Sequence, residues 1–244
     1  METSIIDIRR KNDHFHTQTG WLDSRHTFSF GPHYDPTNTH HGLLLVSNDD
    51  VIRPKTGFDT HPHRDMEIVT WVLDGELEHK DSQGNSGLIY RGLAQRMSAG
   101  RGIWHSEKNP SQKNDVHLVQ MWVLPDTESI DPGYEQLDIN PQLAKGGLVP
   151  IASGRDHNAA IKIRQKGAVL WGGRLKPGET VVVPEAPYVH LYVARGSVQL
   201  DGAGLLGEGD SVRLVGAGPR RVAAHDKEGA EVLIWEMQHE FPDL

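Results

Sequence analysis

Cysteine is missing from all 244 residues, which excludes disulfides, thiolate metal sites and nucleophilic or redox thiol chemistry. Long apolar runs are missing too. None exceeds four residues, as in Leu43–Val46, against the roughly 20 that a spanning helix needs, so no membrane partner is expected. Positive charge is in deficit: 25 Lys and Arg against 33 Asp and Glu give a formal net charge of -8, so direct contact with nucleic acid is not expected either. No basic stretch followed by an apolar one opens the chain, and a cytoplasmic location is the expectation.

Histidine, by contrast, is abundant, with 15 in the chain. His14, His16, His26, His33, His40 and His41 crowd the N-terminal segment without a carboxylate at strand spacing, and read as surface or hydrogen-bonded residues. His79 and His117 sit in strand-like segments and read as satisfied structural histidines. The informative stretch is Gly57 to Asn109. His61 and His63 are two apart, so on an extended strand both project from one face, and His105 and Glu107 repeat the spacing. Three imidazoles and a carboxylate, delivered as two pairs from two strands, suit a divalent metal. Glu67, four residues past His63, is a competing carboxylate, and a catalytic metal must keep positions open for substrate.

β-Branched and aromatic runs separated by turns every 8 to 12 residues indicate an all-β chain. Leu43 to Val46 reads as a strand entering a turn at Asn48-Asp49-Asp50, Asp74-Gly75 as a hairpin turn, and Asp81 to Gly84 as another turn. One short helix is expected near Pro141 to Lys145. The second half echoes the first: Trp71-Val72-Leu73-Asp74-Gly75 has a counterpart in Tyr192-Val193-Ala194-Arg195-Gly196, and Gln120-Met121-Trp122 in Leu233-Ile234-Trp235. The first echo, an offset of 121, puts Val182 and Pro184 where His61 and His63 stand, and Tyr188 where Glu67 stands. The second, an offset of 113, puts Gly218 and Arg220 where His105 and Glu107 stand. The organisation expected is therefore a metal-binding module over 1–125, a connection over 126–154, and a silent copy over 155–244.

These residues resemble the cupin superfamily. Gly57, His61, His63, Glu67 and Gly75 follow its first motif, with a short Gly-to-His gap and a Glu-to-Gly gap one residue longer. Gly102, His105 and Asn109 follow the tail of its second, with Gly100 where proline is usual. The runs HPHRDMEIVTWVLDGELEHKDSQGN, QRMSAGRGIWHSE, DSRHTFSFG and VQMWVLP narrow the resemblance to the pirins, densely over residues 20–125 and more loosely beyond. That resemblance implies an all-β bicupin, two β-barrel or jelly-roll modules with few short helices, of which only the N-terminal one binds metal. It implies His61, His63, His105 and Glu107 as ligands, with Glu67 orienting an imidazole. Fe(II) is the expected metal ahead of Ni, Cu, Co, Mn or Zn.

The resemblance further implies quercetin 2,3-dioxygenase activity on a flavonol with O2, with release of CO and with Glu107 as the catalytic proton acceptor. The alternative it carries is a metal-binding regulatory protein that acts through protein partners. A monomer is expected. Val69 and Trp71, on the face His63 shares if the strand is unbroken, are candidate substrate walls unless Trp71 fills the core; Phe58, Met97 and Met121 are weaker candidates.

Overall fold

Strand is the prevailing state because β-branched and aromatic runs recur between Asn, Asp and Gly turns. The computed structural model describes residues 4–241. In chain order the first strands are β1 (Ile5–Arg9), β2 (Phe15–Gln18), β3 (Leu22–His26), β4 (Leu44–Ile52), β5 (Gly57–His63) and β6 (Glu67–Asp74). β7 (Glu76–Asp81), β8 (Ser86–Tyr90), β9 (Leu93–Ser98), β10 (Ile103–Lys108), β11 (Val116–Val123) and β12 (Gly133–Asp138) follow. After α1 (Asn140–Leu143), where a short helix was expected, come β13 (Val149–Ser153), β14 (Ile161–Lys162), β15 (Ala168–Leu175), β16 (Thr180–Val183) and β17 (Tyr188–Leu200). β18 (Gly204–Gly207), β19 (Ser211–Val215), β20 (Arg220–Ala224) and β21 (Ala230–Met237) complete the chain. Among the described residues no helix is long and apolar enough to cross a membrane.

The architecture is an all-β bicupin. The first module closes a sheet ordered β5-β10-β7-β8 over a larger one ordered β12-β9-β6-β11-β4-β3-β2. The second repeats the plan, with β17-β21-β15 in the places of β6-β11-β4 and β16-β20 in the place of β5-β10. Two strands lie across the sequence boundaries drawn above. β1 hydrogen-bonds to β19 of the second module, and β12, within the expected connection, extends the first through β9. Each covers a sheet edge that would otherwise present unpaired backbone groups.

Two expected turns are not turns of the expected kind. Asn48-Asp49-Asp50 lies in the middle of β4, because β3 and β11 bond to that stretch from either side and hold it extended despite its low strand propensity. Asp74-Gly75 makes no hairpin. Gly75 (φ +75°) carries the chain from the larger sheet into the smaller, since β6 pairs with β9 and β11 whereas β7 pairs with β8 and β10. Asp81 to Gly84 does close the β7–β8 hairpin, with the Gly84 N–H donating to the Asp81 carbonyl.

The largest apolar cluster lies between the modules rather than inside either one. Val69, Trp71, Leu73, Val119 and Met121 of the first pack against Ile151, Leu170, Tyr192, Leu233 and Trp235 of the second. The Trp71 indole N–H donates across this interface to Glu231 Oε1 at 2.8 Å, and the Tyr192 hydroxyl donates to Asp49. Leu77, Ile89, Val72 and Leu118 fill the first barrel beneath the site.

Candidate metal centre and its cavity

β5 and β10 pair antiparallel with His61 opposite His105 and His63 opposite Ile103, which brings both histidine-bearing segments to one place. Gly57 permits the approach: at φ +147°, a Cβ there would collide with the Glu107 carbonyl oxygen. The imidazole rings of His61, His63 and His105 form a triangle with centroid separations of 4.9, 4.5 and 4.9 Å. Their donor atoms lie within 4.8 Å of one another. His61 Nδ1 donates to the Asp59 carbonyl at 2.7 Å, which turns the Nε2 lone pair toward the other two rings. That Nε2 lies 3.0 Å from His105 Nε2.

Burial, reinforced by His105 and His61, lowers the His63 pKa to about 4, with Glu107 opposing. Burial, with His61 and His79, lowers that of His105 to about 3. Both rings are thus neutral at pH 7 and have lone pairs to give. His63 Nε2 and His105 Nδ1 are buried without a hydrogen-bond partner. Convergent neutral imidazoles with an unpartnered nitrogen fit a divalent cation, and they fit poorly with a purely structural role, in which buried polar atoms are paired.

Glu107 reaches the same region by another route. A β-bulge between His105 and Glu107 shifts it opposite Phe58 on β5, while on the other side it stays beside His79 of β7. It therefore groups with His79 and His105, its donor atom within 4.8 Å of theirs, rather than with His61 and His63. The Gln120 amide donates to both of its oxygens, at 3.0 and 2.9 Å, and accepts from the Trp122 indole at 3.1 Å. The two-residue spacing of Glu107 was visible in the sequence; Gln120, in another strand, carried no local signal.

Glu67 does not orient an imidazole. The chain breaks at Arg64–Met66, with Asp65 at φ +46°, so Glu67 opens β6 in the other sheet. There its Oε2 accepts from Ser98 Oγ at 2.9 Å and from the Arg164 backbone N–H at 3.0 Å, and burial raises its pKa. The same break sends Val69 and Trp71 to the inter-module core, away from the face of His63. Met97 and Met121 are buried in apolar clusters. Phe58, the remaining candidate, does stand in the cavity wall.

That cavity, about 460 Å³, is within the usual range for a small-molecule site. Trp21, Phe30, Phe58 and Trp122 give it aromatic walls, and His61, His63 and Glu107 open onto it. His26, read from sequence as an innocent histidine, lines it too, bonded through Nδ1 to Asn48 Oδ1 at 2.9 Å. His79 is hydrogen-bonded to Asp81 Oδ2 at 3.1 Å, yet its Nδ1 is unpartnered and its ring lies 5.4 Å from that of His105. His117 is the satisfied histidine expected, at 2.7 Å from Asp49 Oδ1. In the second module Val182 pairs with Arg221 at the position where His61 pairs with His105. The backbone register thus replaces Gly218 with Arg221 as the His105 counterpart, and the module still lacks the histidine pair.

The family model for Pirin matches residues 8–123, and that for the quercetinase C-terminal cupin domain matches residues 150–237. A Mycobacterium tuberculosis protein provisionally named quercetin 2,3-dioxygenase is 56% identical over 242 residues, covering 99% of this chain and 98% of that one. The Escherichia coli K12 protein named quercetin 2,3-dioxygenase is 38% identical, covering 96% and 99%. The crystal structure of the E. coli pirin YhhW in complex with nickel(II) superposes with a TM-score of 0.87 at 35% identity, covering 97% of this chain and all of that one.

Proposed function

The chain belongs to the pirin family, and from that premise we propose that it is a metal-dependent dioxygenase that cleaves a flavonol such as quercetin with O2 and releases CO. The observation that carries this reading is the convergence of His61, His63 and His105, with buried nitrogens of His63 and His105 unpartnered, beside an aromatic-walled cavity of small-molecule size onto which His61 and His63 open. His61, His63 and His105 would hold one divalent metal, with Glu107 completing the donor set from beside His105, the residue common to both groups; the ion is Fe(II) or another first-row metal, since nitrogen and oxygen donors accept several. When bound, the metal supplies Lewis acidity toward the substrate hydroxyl and the electronic partner that dioxygen chemistry requires.

The protein's own groups do the rest. Trp21, Phe30, Phe58 and Trp122 hold the ring system by its faces and exclude water. Glu107 takes the proton of the flavonol 3-hydroxyl, leaving an electron-rich enolate as the species that O2 oxidises. Gln120, donating to both carboxylate oxygens, fixes the plane of Glu107 and leaves its remaining lone pairs for that proton. The cavity favours this reading over a regulatory one, in which a metal would alter a protein-binding surface and would need no apolar slot beside it.

The test is oxygen uptake and CO release with quercetin, using protein reconstituted separately with each metal. Turnover that vanishes in His63→Ala is the expected result. Full metal loading without turnover on any metal overturns the enzymatic reading and favours the regulatory one.

A further inference from the structure

The cavity floor is polar where a barrel wall is ordinarily apolar. Register along β3, β4 and β11 sets His26, Asn48 and Gln120 side by side in one row, and Ser24, Asp50 and Leu118 in the next. Ser24, His26, Asn48, Asp50 and Gln120 are all buried and all line the cavity. Most are satisfied within the protein: His26 bonds Asn48, and Gln120 bonds Glu107. Asp50 is the exception. Ser24 stands opposite it on β3, but its Oδ1 has no partner. A buried carboxyl with an unpartnered oxygen is a large penalty that Leu or Val at this position avoids, and such groups in native proteins call for an explanation.

We propose that Asp50 is a substrate-specificity residue that hydrogen-bonds an outer-ring hydroxyl of a polyhydroxylated flavonol whose 3-hydroxyl lies at the histidines. This rests on the reading of the cavity as a flavonol site. Asp50 and Gln120, which holds Glu107, lie in successive rows of the cavity floor, one i, i+2 step or roughly 7 Å of backbone apart, so a fused-ring ligand in the cavity spans both. Burial raises the Asp50 pKa to about 7, with Asp49 and Glu107 adding to the rise and Ser24 opposing it, so near neutrality the carboxyl has an O–H to donate. A donor at that depth, beside aromatic walls, distinguishes a hydroxylated ring from a bare one.

The experiment is anaerobic titration of nickel-loaded protein with quercetin and with 3-hydroxyflavone, which keeps the 3-hydroxyl and lacks the others. Binding is followed by quenching of the cavity tryptophans. The wild-type protein is expected to prefer quercetin by about tenfold, the scale of one hydrogen bond whose loss leaves a buried partner unmet. In Asp50→Leu that ratio should collapse toward one. In Asp50→Asn, whose amide can still donate, it should stay within about threefold of the wild-type ratio. Asp50→Ala serves the same purpose if the leucine side chain does not fit. An undiminished ratio in Asp50→Leu or Asp50→Ala overturns the role of Asp50 while leaving the flavonol site standing. Absence of binding of either compound to the loaded wild-type protein overturns the flavonol reading and the role of Asp50 with it.

Discussion

His63→Ala separates a metal ligand from a structural histidine, because the two roles have different energetic signatures. His63 is half-buried, its Nε2 has no partner within the protein, and its ring packs edge-on against Trp122 at 4.9 Å. Removing it forfeits that contact but also an unsatisfied nitrogen, so the apo protein should lose at most about 1 kcal/mol. Metal at a hundred times its Kd stabilises a folded site by about 2.7 kcal/mol. For a chain of this size each kcal/mol moves Tm by roughly 2–4 °C, giving an expected rise of roughly 5–11 °C on loading the wild-type protein. The assay is thermal melting with and without Ni(II), alongside calorimetric titration of the metal. His63→Ala should melt near the wild-type apo temperature and show little of the metal-induced rise. A variant that keeps the full rise refutes ligation by His63. One whose apo form melts far lower refutes the argument that barrel packing, and not this histidine, holds the fold.

Further outcomes follow from the same geometry. Glu107→Gln should still bind metal through the three histidines but lose oxygenase turnover by about 100-fold or more, as removal of a general base does; full activity would end the proton-acceptor role. Trp71→Phe deletes the 2.8 Å donor to buried Glu231 and should lower stability by about 2 kcal/mol in urea unfolding, with catalysis intact. A buried set at the other side of the interface gives a pH dependence. Burial, with Arg213 adding, lowers the pKa of His14 and of His41 to about 4, and burial also holds that of His190 well below its ordinary value. As pH falls below 6.5 the unfolded chain takes up these protons first, so stability is complete above about pH 6.5 and is lost progressively toward pH 4. His14 and His41 together should account for roughly 4 kcal/mol by pH 5, read as a fall in the urea midpoint that His14→Gln and His41→Gln each reduce. An equal fall in the variants would assign the effect to carboxylates.

What was legible in the sequence is what strand periodicity writes locally. His61 and His63 share a face because side chains alternate, and no tertiary information is needed to say so. The absence of histidines from the counterpart positions of the second module was readable in the same way, although strand pairing moves the His105 counterpart to Arg221. The continuity of the chain after His63 was not readable. Three residues, Arg64–Met66, break the strand, and with it the inference that Glu67, Val69 and Trp71 share the histidine face. Asn48-Asp49-Asp50 was misread for a related reason. Its composition favours a turn, and only bonds from β3 and β11 hold it as the middle of a strand.

The sequence by itself determined an all-β chain, a repeated module, and two residue pairs, His61 with His63 and His105 with Glu107, at strand spacing. Those properties depend on spacings of two residues and on turn chemistry, both local. Only the tertiary structure decided that Glu107 leans on Gln120 beside His79, and that Trp71 seals an interface between modules. It also decided that Asp50 lies on the floor of a cavity and that β1 belongs to the sheet of the distant half. Each is a matter of which strands become neighbours. That choice minimises unpaired edges and exposed apolar surface over the whole chain, so no window of sequence contains it.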